Sequence, residues 1–115
     1  MSKHHSSAAF KNEHQALVFA ALGDPTRLSL VTKLIDRKSH SISDLTEGTK
    51  ITRQAVTKHL TVLENVGIVL KFKNGRESLY ELDPKPLESI QQYLEIIASQ
   101  WDTALHKLKA FVEEE

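Results

Sequence analysis

Arg53, Gln54, Thr57, Lys58 and Thr61 follow one another at steps of one and three, which places their side chains along one face of an α-helix. Those residue types suit the edges of base pairs. A guanidinium matches the paired acceptors of guanine, a carboxamide matches the acceptor and donor of adenine, and threonine suits a phosphate or a thymine methyl. Thr52 stands just before the row as a helix cap, where unpaired amides and the helix dipole favour a backbone phosphate. Further on, Lys71, Lys73 and Arg76 would lie along neighbouring phosphates or in the minor groove, supplying attraction with little sequence information. A polar row can also be an ordinary solvated helix side. Its coupling to a basic hairpin and to a local excess of positive charge favours recognition.

That excess is hidden in the net charge of +0. Between Lys50 and Arg76 the chain sets Lys50, Arg53, Lys58, Lys71, Lys73 and Arg76 against Glu64 alone. From Pro84 onward Lys85, Lys107 and Lys109 face Glu88, Glu95, Asp102, Glu113, Glu114 and Glu115, so the sign reverses. One segment is built to meet an anion and the other is not.

Catalytic chemistry finds little to stand on. There is no Gly-x-Ser-x-Gly, no His-Glu-x-x-His, no phosphate-binding loop and no cluster of histidine with carboxylates at catalytic spacing, so the chain is not expected to be an enzyme or to need a cofactor. With no cysteine, disulfides, thiolate nucleophiles and cysteine-based metal or redox sensors are excluded. Asp102 and His106 are four apart, a ligand spacing on one helical face, yet two ligands per chain are few and a solvated pair is the plainer reading.

The elements that must position these groups can be read in order. At 115 residues, 40% hydrophobic and 26% charged, the chain is sized for one domain over 1–115 and composed like an ordinary globular protein. No apolar run approaches the ~20 residues that span a bilayer. The opening MSKHHSSAAF lacks the apolar stretch of a secretory signal, so a cytoplasmic location without membrane contact is expected. A first helix runs from Phe10 to about Gly23, which is expected to stop it in the left-handed conformation. Asp24 and Pro25 open a second helix that buries Leu28, Val31 and Ile35, with Leu30 and Leu34 beside them.

Ser43 to Thr49 reads as a short third helix capped by Ser43 or Ser41, with Leu45 inward. After a short turn, Thr52 opens the helix Arg53 to Val66, ended by Gly67, in which Val56, Leu60 and Leu63 form the buried stripe. His59 sits beside that stripe and is expected to pack or hydrogen-bond rather than read bases. Ile68–Lys73 and Arg76–Leu82 flank Asn74-Gly75, a strong hairpin signal. With Asn74-Gly75 as a two-residue loop, Lys73 pairs with Arg76 and Lys71 with Ser78, putting three basic side chains on one face. A last helix, 85–112, carries Leu87, Ile90, Leu94, Ile97, Trp101, Ala104, Leu108 and Phe111 at alternating threes and fours, a seam longer than one small domain needs.

Two packing helices, a helix-turn-helix over about 43–66, a basic wing over 68–82 and a long seamed helix make a winged helix-turn-helix, mainly α with a small β-hairpin. A helix fits the major groove and its first exposed side chains reach base edges.

The ordered set Ala20-Ala21-Leu22-Gly23-Asp24-Pro25-Thr26-Arg27-Leu28, Ser43-Asp44-Leu45, Thr52-Arg53-Gln54-Ala55-Val56-Thr57-Lys58-His59-Leu60, Leu63-Glu64 and Gly67-Ile68-Val69 resembles the ArsR-type (ArsR–SmtB) bacterial repressors over nearly the whole chain. The resemblance implies a dimer held by the first and last helices, with Phe10, Leu17, Leu87, Ile90, Leu94, Ile97, Trp101, Leu105 and Leu108 as interface residues. It further implies binding to double-stranded operator DNA that blocks transcription, and release by an unidentified small-molecule or metal effector. Members that sense thiophilic metals carry cysteines in the third helix, where this chain has Ser41-Ile42-Ser43-Asp44-Leu45. Others bind zinc through carboxylates and histidines, for which Asp102 and His106 are the candidates. A zinc-responsive repressor, or a winged-helix module whose helix and wing bind protein instead, are the alternatives.

Overall fold

The computed structural model describes the backbone of residues 3–114 and the side chains of 12–114. Helix α1 (Lys3–Leu22) begins earlier than expected from Phe10, and the side chain of Phe10 lies outside those described. Helix α2 (Pro25–Leu34) opens as its sequence requires: the Asp24 carboxylate accepts from the Arg27 amide at 3.0 Å, and Pro25 occupies the first turn. Gly23 does not supply the left-handed stop, since it is absent from the positive-φ residues. The carbonyls at that end of α1 are met instead by the side chain of Arg27, which donates to Ala20 and Ala21.

The buried side of α2 is also corrected. Leu30, Val31 and Leu34 enter the core, whereas Leu28 and Ile35 are 50% and 60% exposed. Leu28, Leu30, Val31, Leu34 and Ile35 form one apolar stripe roughly 160° wide, broader than the arc the core covers, so their period alone does not say which part of it turns inward.

Strand β1 (His40–Ser41) was not foreseen. It leads directly into α3 (Ile42–Thr46), where Ser41 forms a reciprocal capping box with Asp44. After Thr52 comes α4 (Arg53–Asn65), then β2 (Val69–Asn74) and β3 (Glu77–Leu82), and finally α5 (Lys85–Glu113). The hairpin is thus part of a three-stranded antiparallel sheet ordered β1-β3-β2. Gly67 takes φ +82° at the end of α4, a conformation other residues avoid, and turns the chain into the wing.

The core gathers Val18 and Ala21 of α1, the α2 trio, Leu45, Val56, Leu60, Leu63, Ile68, Val69, Tyr80, Leu82 and Ile90. Val56, Leu60 and Leu63 are fully buried, and burying each contributes about 1.5–3 kcal/mol. Their packing fixes the rotation of α4 about its own axis, and with it which side chains look outward. From Gln91 onward every described side chain of α5 is exposed except Ile97. No helix among the described residues is long and apolar enough to cross a membrane.

Candidate nucleic-acid interface

Thr52 Oγ1 accepts from the Ala55 amide at 3.1 Å, leaving the remaining first-turn amides of α4 facing outward. Arg53, Gln54, Lys58 and Thr61 are exposed and Thr57 is half-buried. The hydroxyl protons of Thr57 and Thr61 are spent within the helix, on the carbonyls of Arg53 at 2.8 Å and Thr57 at 3.0 Å. These two residues therefore present a methyl group and oxygen lone pairs, the complement of a thymine methyl or a donor. Arg53, Gln54, Thr57 and Lys58 line one open concavity with Ile42 of α3.

A second cleft runs between α3, the start of α4 and the wing, lined by Ser41, Ile42, Ser43, Arg53, Arg76, Glu77 and Ser78. It brings together two arginines expected to do different work. The wing register corrects the pairing read from the sequence: Asn74 lies opposite Glu77, Lys73 opposite Ser78 and Lys71 opposite Tyr80. Gly75, at φ +66°, takes the first central position of the turn, and Arg76 the second. That is the preference of a type II′ turn, whereas an Asn-Gly loop would need positive φ at both. Lys71 and Lys73 remain on one face of the ribbon, but Arg76 sits at its tip, over the cleft.

The hydroxyls of Ser43 and Ser78 were missed as lining groups. Choosing Ser41 as the α3 cap would have exposed Ser43, and the corrected register would have found Ser78.

His59 is half-buried, with Nδ1 3.3 Å from Arg27 Nη1, so it serves hydrogen bonding, as expected from its place beside the stripe. His106 Nδ1 meets the Asp102 backbone carbonyl at 2.8 Å rather than its carboxylate, and no group of three or more potential metal ligands occurs among the described residues. Of the seam residues assigned to a dimer interface, Ile90 is instead buried in the chain's own core and Leu87 packs against it. Leu17, Leu94, Trp101, Leu105 and Leu108 are exposed, and Ile97 is half-buried.

Two carboxylates, half-buried Asp24 and exposed Asp36, carry a pH signature. The Arg27 amide, aided by the charge of the Arg27 guanidinium, holds Asp24 below the usual carboxylate range. The Lys38 amide and the His40 side chain do the same for Asp36. A lowered folded-state value means stability that is complete above the unfolded carboxylate range, near pH ~4, and lost as pH falls through the folded values. Urea titrations of Asp36→Asn should therefore show a flatter loss of stability from neutral to strongly acid pH than the parent chain; coincident acid limbs would contradict the assignment.

Comparison with known proteins agrees with this geometry. The family described as "Bacterial regulatory protein, arsR family" matches residues 24–71, from the α2 cap to the wing. An uncharacterized HTH-type transcriptional regulator of Bacillus subtilis, YuzN, is 33% identical over 85 residues, covering 69% of this chain and 92% of that protein. The arsenical resistance operon repressor of the same organism is 29% identical over 72 residues, covering 63% of this chain and 69% of the repressor. Among solved structures, an ArsR-like transcriptional regulator from Rhodococcus sp. RHA1 superposes with a TM-score of 0.73 at 37% identity, covering 87% of this chain and 93% of that one. With residues 24–71 matched by the family and most of the chain superposed on an ArsR-like regulator at 37% identity, the chain belongs to the ArsR family of bacterial helix-turn-helix transcriptional regulators.

Proposed function

We propose that the chain is a single winged helix-turn-helix unit that acts in the cytoplasm as a homodimeric repressor on an inverted-repeat operator. The observation that carries this reading is the shared cleft, where Arg53 at the start of α4 and Arg76 at the wing tip meet between two cationic elements. Arg53 and Gln54 read base edges, Thr57 and Thr61 offer methyl contacts, and Lys58 borders them. Thr52 and the α4 end hold a phosphate, while Lys71, Lys73 and Arg76 follow the neighbouring backbone.

The dimer is formed by Leu17 of α1 with Leu94, Ile97, Trp101, Leu105 and Leu108 of α5. The exposed members of this row leave apolar area in water that a second copy covers, at about 25 cal/mol per Å² removed. Two reading helices then meet half-sites about one turn, ~34–36 Å, apart. One relative is an arsenical repressor, but this chain offers no thiolate to a thiophilic metalloid, so an arsenic response is not part of the proposal.

Selection of bound duplexes from a random DNA pool, followed by titration at two salt concentrations, tests the reading. The expected result is an inverted-repeat consensus and an affinity that falls steeply with salt. Unenriched pools with no salt-dependent affinity would favour a protein-binding module instead.

A further inference from the structure

Arg27 joins three helices through one side chain. Its backbone belongs to α2, its Nε and Nη2 donate to the carbonyls of Ala21 and Ala20 at the end of α1, and its Nη1 lies 3.3 Å from Nδ1 of His59 on α4. A guanidinium has donors and no acceptor, so Nδ1 must be the lone-pair nitrogen of a neutral imidazole for this contact to be a hydrogen bond. Protonation would set a donor against a donor and a cation against a cation. The imidazolium could then turn only to the Asp24 carboxylate, 3.8 Å from Nδ1, which among the described residues is the one carboxylate within ion-pair distance of it. On α4 itself, residues one turn away from His59 are the uncharged Ala55, Val56, Val62 and Leu63, and the adjacent Lys58 is exposed. The end of α1 contributes only uncharged residues, Phe19 to Gly23. Of the other elements on α4, α3 presents Asp44, outside ion-pair distance, and β2 presents the exposed Lys71 and Lys73.

We propose that Arg27 is a positioning residue for the reading helix, holding α4 to the end of α1 through neutral His59, and that a proton on His59 releases the hold and weakens operator binding. The proposal rests on the repressor reading above. If α1 helps to join the two subunits and α4 reads the groove, the α1–α4 link sets how well two reading helices match two half-sites. Nonspecific attraction by Lys71, Lys73 and Arg76 needs no such match. The two kinds of binding should therefore respond to acid in opposite directions: general electrostatics strengthens DNA binding as histidines gain charge between pH ~8 and ~5, whereas the lost link weakens specific binding.

The test uses the full chain, the duplex recovered by selection, and a random duplex of equal length, titrated at pH 5.5 and pH 8 at constant ionic strength. The expected result for the parent is operator affinity about tenfold lower at the acid pH, with random-duplex affinity unchanged or higher. His59→Asn places a non-titrating amide oxygen where Nδ1 stands, and should hold the pH 8 operator affinity at pH 5.5. Arg27→Gln should lose about tenfold in operator affinity at pH 8, flatten the pH profile and leave random-duplex binding unchanged. Identical pH profiles for the parent and His59→Asn would overturn the proposal, even if Arg27→Gln failed to fold. Absence of binding to either duplex at any pH would instead overturn the repressor reading, and this inference with it.

Discussion

Replacing Trp101 and Leu105 together by glutamate is expected to give a folded monomer whose operator affinity is about 10²–10⁴-fold below that of the parent. The two side chains are 65% and 56% exposed, and neither belongs to the core, so charge is tolerated within the protomer. In a dimer the same positions would be desolvated, and carboxylates brought together across a seam have no counter-charge to meet. The size of the effect follows from linkage. Once one half-site is bound, the second is presented to the joined subunit at an effective concentration that separate monomers never reach, and avidity of that order is lost on separation. Sedimentation equilibrium reports the mass, circular dichroism the fold, and gel-shift titration the affinity. A variant that remains dimeric would remove α5 from the proposed interface.

Arg53→Ala and Gln54→Ala should each weaken operator binding by roughly 5- to 150-fold, because a matched bidentate base contact is worth about 1–3 kcal/mol of discrimination. The loss should be confined to particular base pairs, so that repeated selection with each variant relaxes the consensus at different positions. Lys73→Ala should behave differently, weakening specific and random duplexes alike and reducing the salt slope by about 1. Arg76→Ala is expected to do both in part, since its turn position hangs it over the cleft it shares with Arg53. Equal effects of Gln54→Ala and Lys73→Ala on specific and random duplexes would reverse the division of labour.

The exposed face of α4 and the wing are legible in the sequence because each is written over a few consecutive residues. Val56, Leu60 and Leu63 at steps of four and three leave Arg53, Gln54, Lys58 and Thr61 with nowhere to go but outward. Asn74-Gly75 marks a turn just as plainly, but not its frame. Gly75 can serve as the first or the second central residue, and choosing the first moves the cross-strand partner of each residue by two. Strand β1 has no such local signature, since two residues carry no alternation, and it exists only through pairing His40 with Tyr80 and Ser41 with Leu79, far along the chain.

The helices, their caps at Asp24 and Thr52, the basic stretch and the seam of α5 were thus determined by the amino-acid order itself, since backbone periodicity and capping act within one or two turns. Packing alone decided that α2 turns Leu30 rather than Leu28 inward, that Ile90 serves the protomer's own core, and that Arg27 closes α1 and reaches His59. These choices join groups many residues apart. Their free energy depends on which neighbouring surfaces fold against them, a quantity that no local pattern contains.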